Sequence, residues 1–212
     1  MRLYSFEPLP VRFSAIRIRV MPILITAFGP FEGRQENASS LALLEIRNSF
    51  PGIRSRILPV DSVEAPSRLK QAILHIQPSA LIMLGEAAGI REVRFETTAW
   101  NEKTFGIPDI KGRAPNRIPI RNGAAPFLKS TLPLTRIHED LETRGHSFCF
   151  SDDPGRYLCN QLFFTALDFL EVKSMSIPAG FIHLPLAQDL PISESSRTIV
   201  KTIRLIQSVR KA

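Results

Sequence analysis

The stretch PILITAFGPFEGRQENASSLALLEIRNSFPGIRSRILPV, residues Pro22 to Val60, decides the architecture. It opens with PILITAF (22–28), a short apolar run of the kind that is buried on both faces of a parallel sheet. A Gly/Pro loop, GPFEGRQEN, turns the chain, and a helical stretch follows from about Ala38 to Phe50. RILPV (56–60) then reads as a second strand. Strand, helix and strand in close succession make a βαβ unit, whose strands lie parallel with the helix packed across them.

The alternation continues outward from this unit. SVEAPSRLKQAILHIQ reads as a helix with Leu69, Ile73 and Ile76 on one face, stopped by Pro78. ALIMLG (80–85) is a third buried strand, and VRFETTAWN (93–101) alternates and is rich in β-branched and aromatic residues, so it too is strand-like. Residues 102–133 are punctuated by Pro108, Pro115, Pro119, Pro126 and Pro133 and form a long irregular loop or a β-excursion. LTRIHEDLETRG is a helix closed by Gly145, HSFCFS a strand, YLCNQLFFTALDFL a helix, AGFIHLP a strand and SESSRTIVKTIRLIQSVR a final helix. The expected fold is a single-domain three-layer α/β/α sandwich with a mostly parallel central sheet.

Composition narrows the function. The 212 residues are 44% hydrophobic and 22% charged, an ordinary globular balance with room for one good-sized core. The net charge of +7 raises the question of nucleic acid, but Arg2, Arg12, Arg17 and Arg19 against Glu7 supply +3 of it. The other basic residues are scattered, so a solvated surface is expected rather than a nucleic-acid face. Two cysteines make no disulfide framework. No run approaches the ~18 apolar residues that span a bilayer. Residues 1–20 lack the apolar segment of a signal peptide and read as a non-core N-terminal extension, with Met21 a candidate start. A domain over residues 21–212, in the reducing cytoplasm and away from membranes, is the expectation. Neither a metal-ligand cluster nor a phosphate loop is visible, so no cofactor is expected.

The chemistry centres on SDDPGRYLCNQLFF (151–164). Leu158, Leu162, Ala166 and Phe169 mark one face of a helix, and Pro154–Gly155 end the preceding strand, which puts Cys159 in or near the helix's first turn. Unpaired N–H groups and the helix dipole favour an anion there, either a thiolate or an oxyanion developing beside it. The alternative is a small buried hydrophobe, as Cys149 is expected to be within its alternating strand. Of the four histidines, His75 and His138 fall among solvent-facing residues of helices and His146 opens a strand. His183 sits at the carboxyl end of an apolar strand, where open α/β sheets place their sites. Glu96, among apolar and β-branched residues, is the candidate acid to orient the imidazole; its alternative is a charge on a sheet edge.

These segments together resemble the type I pyroglutamyl peptidases (pyrrolidone-carboxylate peptidases), over nearly the whole chain from Met21. TAFGPFEGRQEN (26–37) is similar to the family's T-G-F-x-P-F-G-G-x-x-x-N opening. LGEAAGIREVRFETTAWN (84–101) resembles the segment of the catalytic glutamate, SDDPGRYLCNQLFF that of the nucleophilic cysteine, and GFIHLP (180–185) that of the histidine. The resemblance implies a cysteine peptidase that removes N-terminal pyroglutamyl residues from peptides, with Glu96, Cys159 and His183 as its triad. It also implies homo-oligomers, dimers or tetramers. The pyroglutamyl lactam is small, flat and uncharged, so its pocket needs apolar walls with a few polar contacts. Phe28 and Phe31 flank a Gly-Pro turn where two rings can bracket a third, with Ile107, Tyr157 and Leu158 as further walls; packing beneath the loop is the other reading of the two phenylalanines. Asn37 serves the loop, the substrate or a helix cap.

The chain departs from the family pattern at several positions. Gly106 stands where an arginine that assists the oxyanion is usual, Glu86 where a glutamine is usual, and Gln161 replaces a histidine. Pro154 and Arg156 replace small residues before the cysteine, and Arg156 is the candidate to restore the missing charge. These changes leave a second class open, a relative that binds peptides or small amides without turning them over.

Overall fold

The computed structural model describes residues 21–31 and 33–209, so the expected extension at 1–20 lies outside the described residues. Strand β1 (Ile23–Phe28) is buried at every position because it has a strand on each side and a helical layer on each face. It pairs in parallel with β2 (Ile53–Leu58) and with β3 (Ala80–Glu86). Helices α1 (Ala38–Ser49) and α2 (Glu64–Ile76) make the crossovers between these strands. The remaining elements are β4 (Val93–Glu96), β5 (Thr98–Trp100), β6 (Phe127–Lys129), α3 (Leu134–Glu142), β7 (Phe148–Ser151), α4 (Leu158–Val172), β8 (Ala179–Leu184) and α5 (Ile192–Val209).

The central sheet has six strands in the order β2-β1-β3-β8-β4-β7, all parallel except where β4 meets β8. One face carries α1, α3 and α5, whose Ala42, Ile46, Ile137, Ile199 and Ile203 pack on Ile25, Ile82 and Ile182. The other carries α2 and α4, whose Leu69, Ile73, Leu162 and Phe163 pack on Leu24, Leu81, Met83 and Phe181. This is the three-layer α/β/α domain that the alternating pattern implies.

Three readings need correction. VRFETTAWN is not one strand: it leaves the central sheet after Glu96, and β5 pairs instead with β6 in a separate two-stranded ribbon. The turn is held by the Thr97 N–H, which donates to Ser151 O at 2.7 Å, and by the Thr97 carbonyl, which accepts from the Ser130 N–H at 2.9 Å. Cys149 is half-buried rather than core, because β7 is an edge strand with β4 on one side only. Burial and the neighbouring Glu92 push its thiol pKa up. Glu96 is no sheet-edge charge either: β4 lies between β8 and β7, and the residue is 1% exposed.

The 102–133 segment is irregular yet tied down. Asp109 accepts from the Ser62 N–H and hydroxyl, at 2.9 and 2.6 Å, and pairs with Arg113 at 2.9 Å. Arg113 also pairs with Asp61. Burial works against the Asp109 charge, but these donors outweigh it and hold the carboxyl well below the usual range. The segment is thereby fastened to the sheet edge after β2, with Ile107 at the rim of the site.

Candidate active site

The start of α4 sets the geometry. Gly155 adopts a φ of 76°, a left-handed turn that glycine takes without steric cost, and its N–H donates to Asp153 Oδ1 at 3.0 Å. Tyr157 occupies the N-cap position with extended backbone and no capping side-chain bond. The first intrahelical bond runs from Gln161 N–H to Tyr157 O at 3.0 Å. The N–H groups of Leu158, Cys159 and Asn160 therefore have no acceptor within the helix. Asn160 anchors this turn: its Oδ1 accepts from Trp100 N–H at 2.8 Å, and its Nδ2 donates to the carbonyls of Trp100 and Glu102 at 2.9 and 2.8 Å.

Sheet register assembles the other two groups beneath the thiol. Gly85 of β3 lies beside His183 of β8, and Arg94 of β4 flanks His183 on its other side. Glu96, two residues beyond Arg94, shares its face and reaches back to the imidazole. His183 Nδ1 and Glu96 Oε1 are 2.7 Å apart, with the residues 5% and 1% exposed. With the carboxylate ionised, Nδ1–H donates, which leaves Nε2 for the sulfur. Phe181 braces the ring from the same strand, its centroid 4.9 Å away.

Gly85 is the residue that lets the sulfur in. A Cβ there would lie 2.9 Å from Cys159 Sγ and 2.7 Å from Phe181 Cζ, closer than side chains pack. Burial alone would lower the His183 pKa, but the charge and contact of Cys159, then the bond to Glu96, raise it to about 9. The arrangement favours a charged imidazolium held between Cys159 and the Glu96 carboxyl group.

Cys159 opens onto a cavity of about 230 Å³. Phe28 at the end of β1, Phe31 from the loop after it, Ile107 from the long segment, and Tyr157 and Leu158 from the start of α4 line it. Tyr157 stacks obliquely on Phe31, with centroids 6.0 Å apart, and edge-on to Phe105 at 4.6 Å. Asn37 lines the cavity and also caps α1, its Oδ1 accepting from the Ser39 N–H at 3.0 Å and the Ser39 hydroxyl at 2.6 Å. Arg156 is not brought to the cavity. Its guanidinium bonds Asp153 at 2.5 Å and the Gly155 carbonyl at 2.8 Å, and lies 4.9 Å from the centre of the Trp100 ring.

Sequence reasoning missed Gly85, Phe181, Asn160 and the cavity residues Arg34, Val60 and Ala88. For Gly85 a signal existed, since a lone glycine at the end of a buried strand marks close approach of another group. Among the described residues no cluster of three or more His, Cys, Asp or Glu is arranged to hold a metal ion, and no helix is long and apolar enough to cross a membrane.

A sequence model of the family described as pyroglutamyl peptidase matches residues 21–210. The chain is also 35% identical over 178 residues to a pyrrolidone-carboxylate peptidase of Halalkalibacterium halodurans, across 82% of this chain and 88% of that one. The chain belongs to the pyroglutamyl peptidase family. Solved structures agree with this pyroglutamyl peptidase fold. The pyrrolidone carboxyl peptidase from Thermococcus litoralis superposes with a TM-score of 0.83 at 26% identity, covering 90% of this chain and 95% of that chain. For pyroglutamyl peptidase I of Bacillus amyloliquefaciens the TM-score is 0.81 at 26% identity, covering 86% and 94%. The family match begins at Met21, at the first described strand's threshold, and runs through α5.

Proposed function

We propose that the chain is a cysteine peptidase that removes N-terminal pyroglutamyl residues from peptides. The observation that carries this reading is the 2.7 Å contact between His183 and Glu96 directly behind a thiol that opens onto a small aromatic-walled cavity.

The roles follow from the geometry. Cys159 is the nucleophile and attacks the pyroglutamyl carbonyl carbon as the thiolate. The tetrahedral oxyanion is met by the free N–H groups of the first turn of α4, Cys159's own among them; one such donor is worth about 2.7–4 kcal/mol. His183, protonated at Nε2, gives that proton to the departing amine, leaving a thioester on Cys159. It then takes a proton from water, which releases pyroglutamate and frees the thiol. Glu96 keeps Nδ1 protonated and stabilises the imidazolium throughout. Phe28, Phe31, Ile107, Tyr157 and Leu158 bracket the lactam ring, and Asn37 offers a polar contact. The nucleophile needs a reduced thiol, which fits the free state of both cysteines and a reducing compartment. Assembly into a homo-oligomer belongs to this reading as well, on the strength of the family.

The test is hydrolysis of a chromogenic pyroglutamyl amide by the wild type and by Cys159→Ser. Turnover that disappears in the variant supports the peptidase. A wild type that binds pyroglutamate yet never cleaves the amide overturns it in favour of a binding protein.

A further inference from the structure

Across the sheet from Cys159, helices α1 and α5 pack side by side and leave between them a groove of about 360 Å³. One wall is a row of cations on α5. Arg197, Lys201 and Arg204 follow one another at spacings of four and three, which puts them on one helix face, and all three line the groove. At about 1.5 Å per residue the row is about 10 Å long. From α1 come Ser49 and Glu45, the carboxylate of the groove. Among the described residues none of the three cations pairs with a carboxylate, not even Glu45. Elsewhere on the molecule Arg68, Arg121, Arg144 and Arg156 each hold one.

The floor gives a second, independent signal. Ser196 lines the groove and is 6% exposed. Its hydroxyl, like that of Ser195 beside it, has no hydrogen-bond partner among the described residues. Thr198 and Thr202 on the same helix each donate to a carbonyl one turn back, at 3.2 and 3.0 Å. A buried hydroxyl left open is costly, so an acceptor that reaches it is favoured. The charge of the row is also felt beyond the groove. His146, whose Nδ1 lies 2.9 Å from Thr198 Oγ1, has its pKa lowered, first by burial and then by the charges of Arg197 and Lys201. Asp140 opposes that effect and Arg144 adds to it.

Cations without partners above an open hydroxyl offer donors and positive charge, the complement of linked tetrahedral oxyanions. We propose that the groove between α1 and α5 binds a compact polyphosphate, inorganic or esterified to an organic group, with Arg197, Lys201 and Arg204 clamping its oxygens. A chain of phosphates can engage the whole row, whereas a single phosphate meets one end of it. Glu45 opposes such a ligand and is outweighed by the three cations. The groove shares no side chain with the cavity at Cys159, so the proposal stands apart from the pyroglutamyl reading.

The experiment titrates the intact protein with tripolyphosphate, pyrophosphate, inorganic phosphate and a nucleoside triphosphate, each against sodium chloride of equal ionic strength to remove plain screening. Two readouts are followed, the unfolding temperature and the pKa of His146 from its ring-proton resonance. Tripolyphosphate should raise the His146 pKa by offsetting Arg197 and Lys201, and raise the unfolding temperature by about 5–10 °C at a hundred times its Kd. Lys201→Gln and Arg204→Gln should each weaken binding by about 10-fold with little change in the unliganded unfolding temperature, and Glu45→Gln should tighten it. A nucleoside triphosphate that binds more tightly than tripolyphosphate assigns the ligand to the organic esters; one that binds no more tightly assigns it to inorganic chains. A response no larger than that to sodium chloride, or one that survives both lysine and arginine substitutions, overturns the proposal. So does a groove that takes a single-stranded oligonucleotide and none of the phosphates, because the row would then belong to a nucleic-acid face.

Discussion

Replacing Glu96 by glutamine tests the electrostatic core of the site without changing its size. Glutamine keeps an oxygen that can accept from His183 Nδ1 across the same 2.7 Å, so the ring stays in place while the negative charge goes. Burial opposes a charged imidazole, and the Cys159 and Glu96 interactions together overcome it and hold the pKa at about 9. A hydrogen bond to a charged partner is worth about 1.5–3 kcal/mol, so removing the charge should weaken the hold of His183 on its proton by about 10- to 150-fold and lower its pKa accordingly. At neutral pH the imidazolium stays substantially populated, so kcat/KM on a pyroglutamyl amide should fall only about two- to threefold there, and most of the loss should appear near pH 9. The wild-type profile should lose activity as pH rises through about 9, where His183 gives up the proton destined for the leaving amine, and this alkaline limb should move to lower pH in Glu96→Gln. Stability follows the same linkage. The folded pKa lies above the ordinary 6.5, so the contribution is complete below that pH and is lost as pH rises toward about 9. The unfolding temperature of the wild type should therefore exceed that of the variant most at pH 6.5 and least above 9. Coincident alkaline limbs in the two proteins would refute the reasoning, because Glu96 would then not govern the charge on His183.

Gly85→Ala should expel the sulfur from its seat, since the added Cβ would stand 2.9 Å from Sγ. Overpacking of this kind costs about 1–3 kcal/mol of stability, and displacement of a nucleophile by about 1 Å costs about 100-fold in rate, so kcat should drop far more steeply than the unfolding temperature. Arg156→Ala should leave kcat/KM within about twofold of wild type, because the guanidinium is engaged by Asp153 and Trp100 rather than by the cavity; a larger loss would return it to the oxyanion role its sequence position suggests.

Periodicity carried the architecture because each layer imposes its own spacing. The short apolar run of β1 suits a strand covered on both faces, and the i, i+4 face of α2 suits a helix packed along one side. What stayed hidden were contacts that depend on register between distant strands. Glu96 and His183 are 87 residues apart, and only the antiparallel pairing of β4 on β8 turns both onto the α4 face. The break at Thr97 was invisible for a related reason: TTAW has strand propensity whichever partner it pairs with, and the choice of β6 over β8 is tertiary. Arg156 misled because nearness in sequence to Cys159 says nothing of direction. The Gly155 turn places Asp153 where it captures the guanidinium first.

The two helix N-termini that meet at the cavity show why a cap at one would defeat the other. At α1, Asn37 accepts from the Ser39 N–H, and Glu86 takes the Ala38 N–H, so that end is closed and serves to hold Asn37 and Glu86 in position. At α4 an Asp or Ser in place of Tyr157 would contribute about 0.5–2 kcal/mol by bonding the same N–H groups that must receive an oxyanion. Tyr157 forgoes that bond and gives its ring to the cavity wall against Phe31 and Phe105. The helix is instead secured from the side, by the three hydrogen bonds of Asn160 to β5 and Glu102 and by Leu158 and Leu162 in the core. Stability is thus moved off the helix axis, and the axis is left to the chemistry. A thiol in the second position of a capped helix would have the same histidine and glutamate behind it, but no donors free to meet the charge that its attack creates.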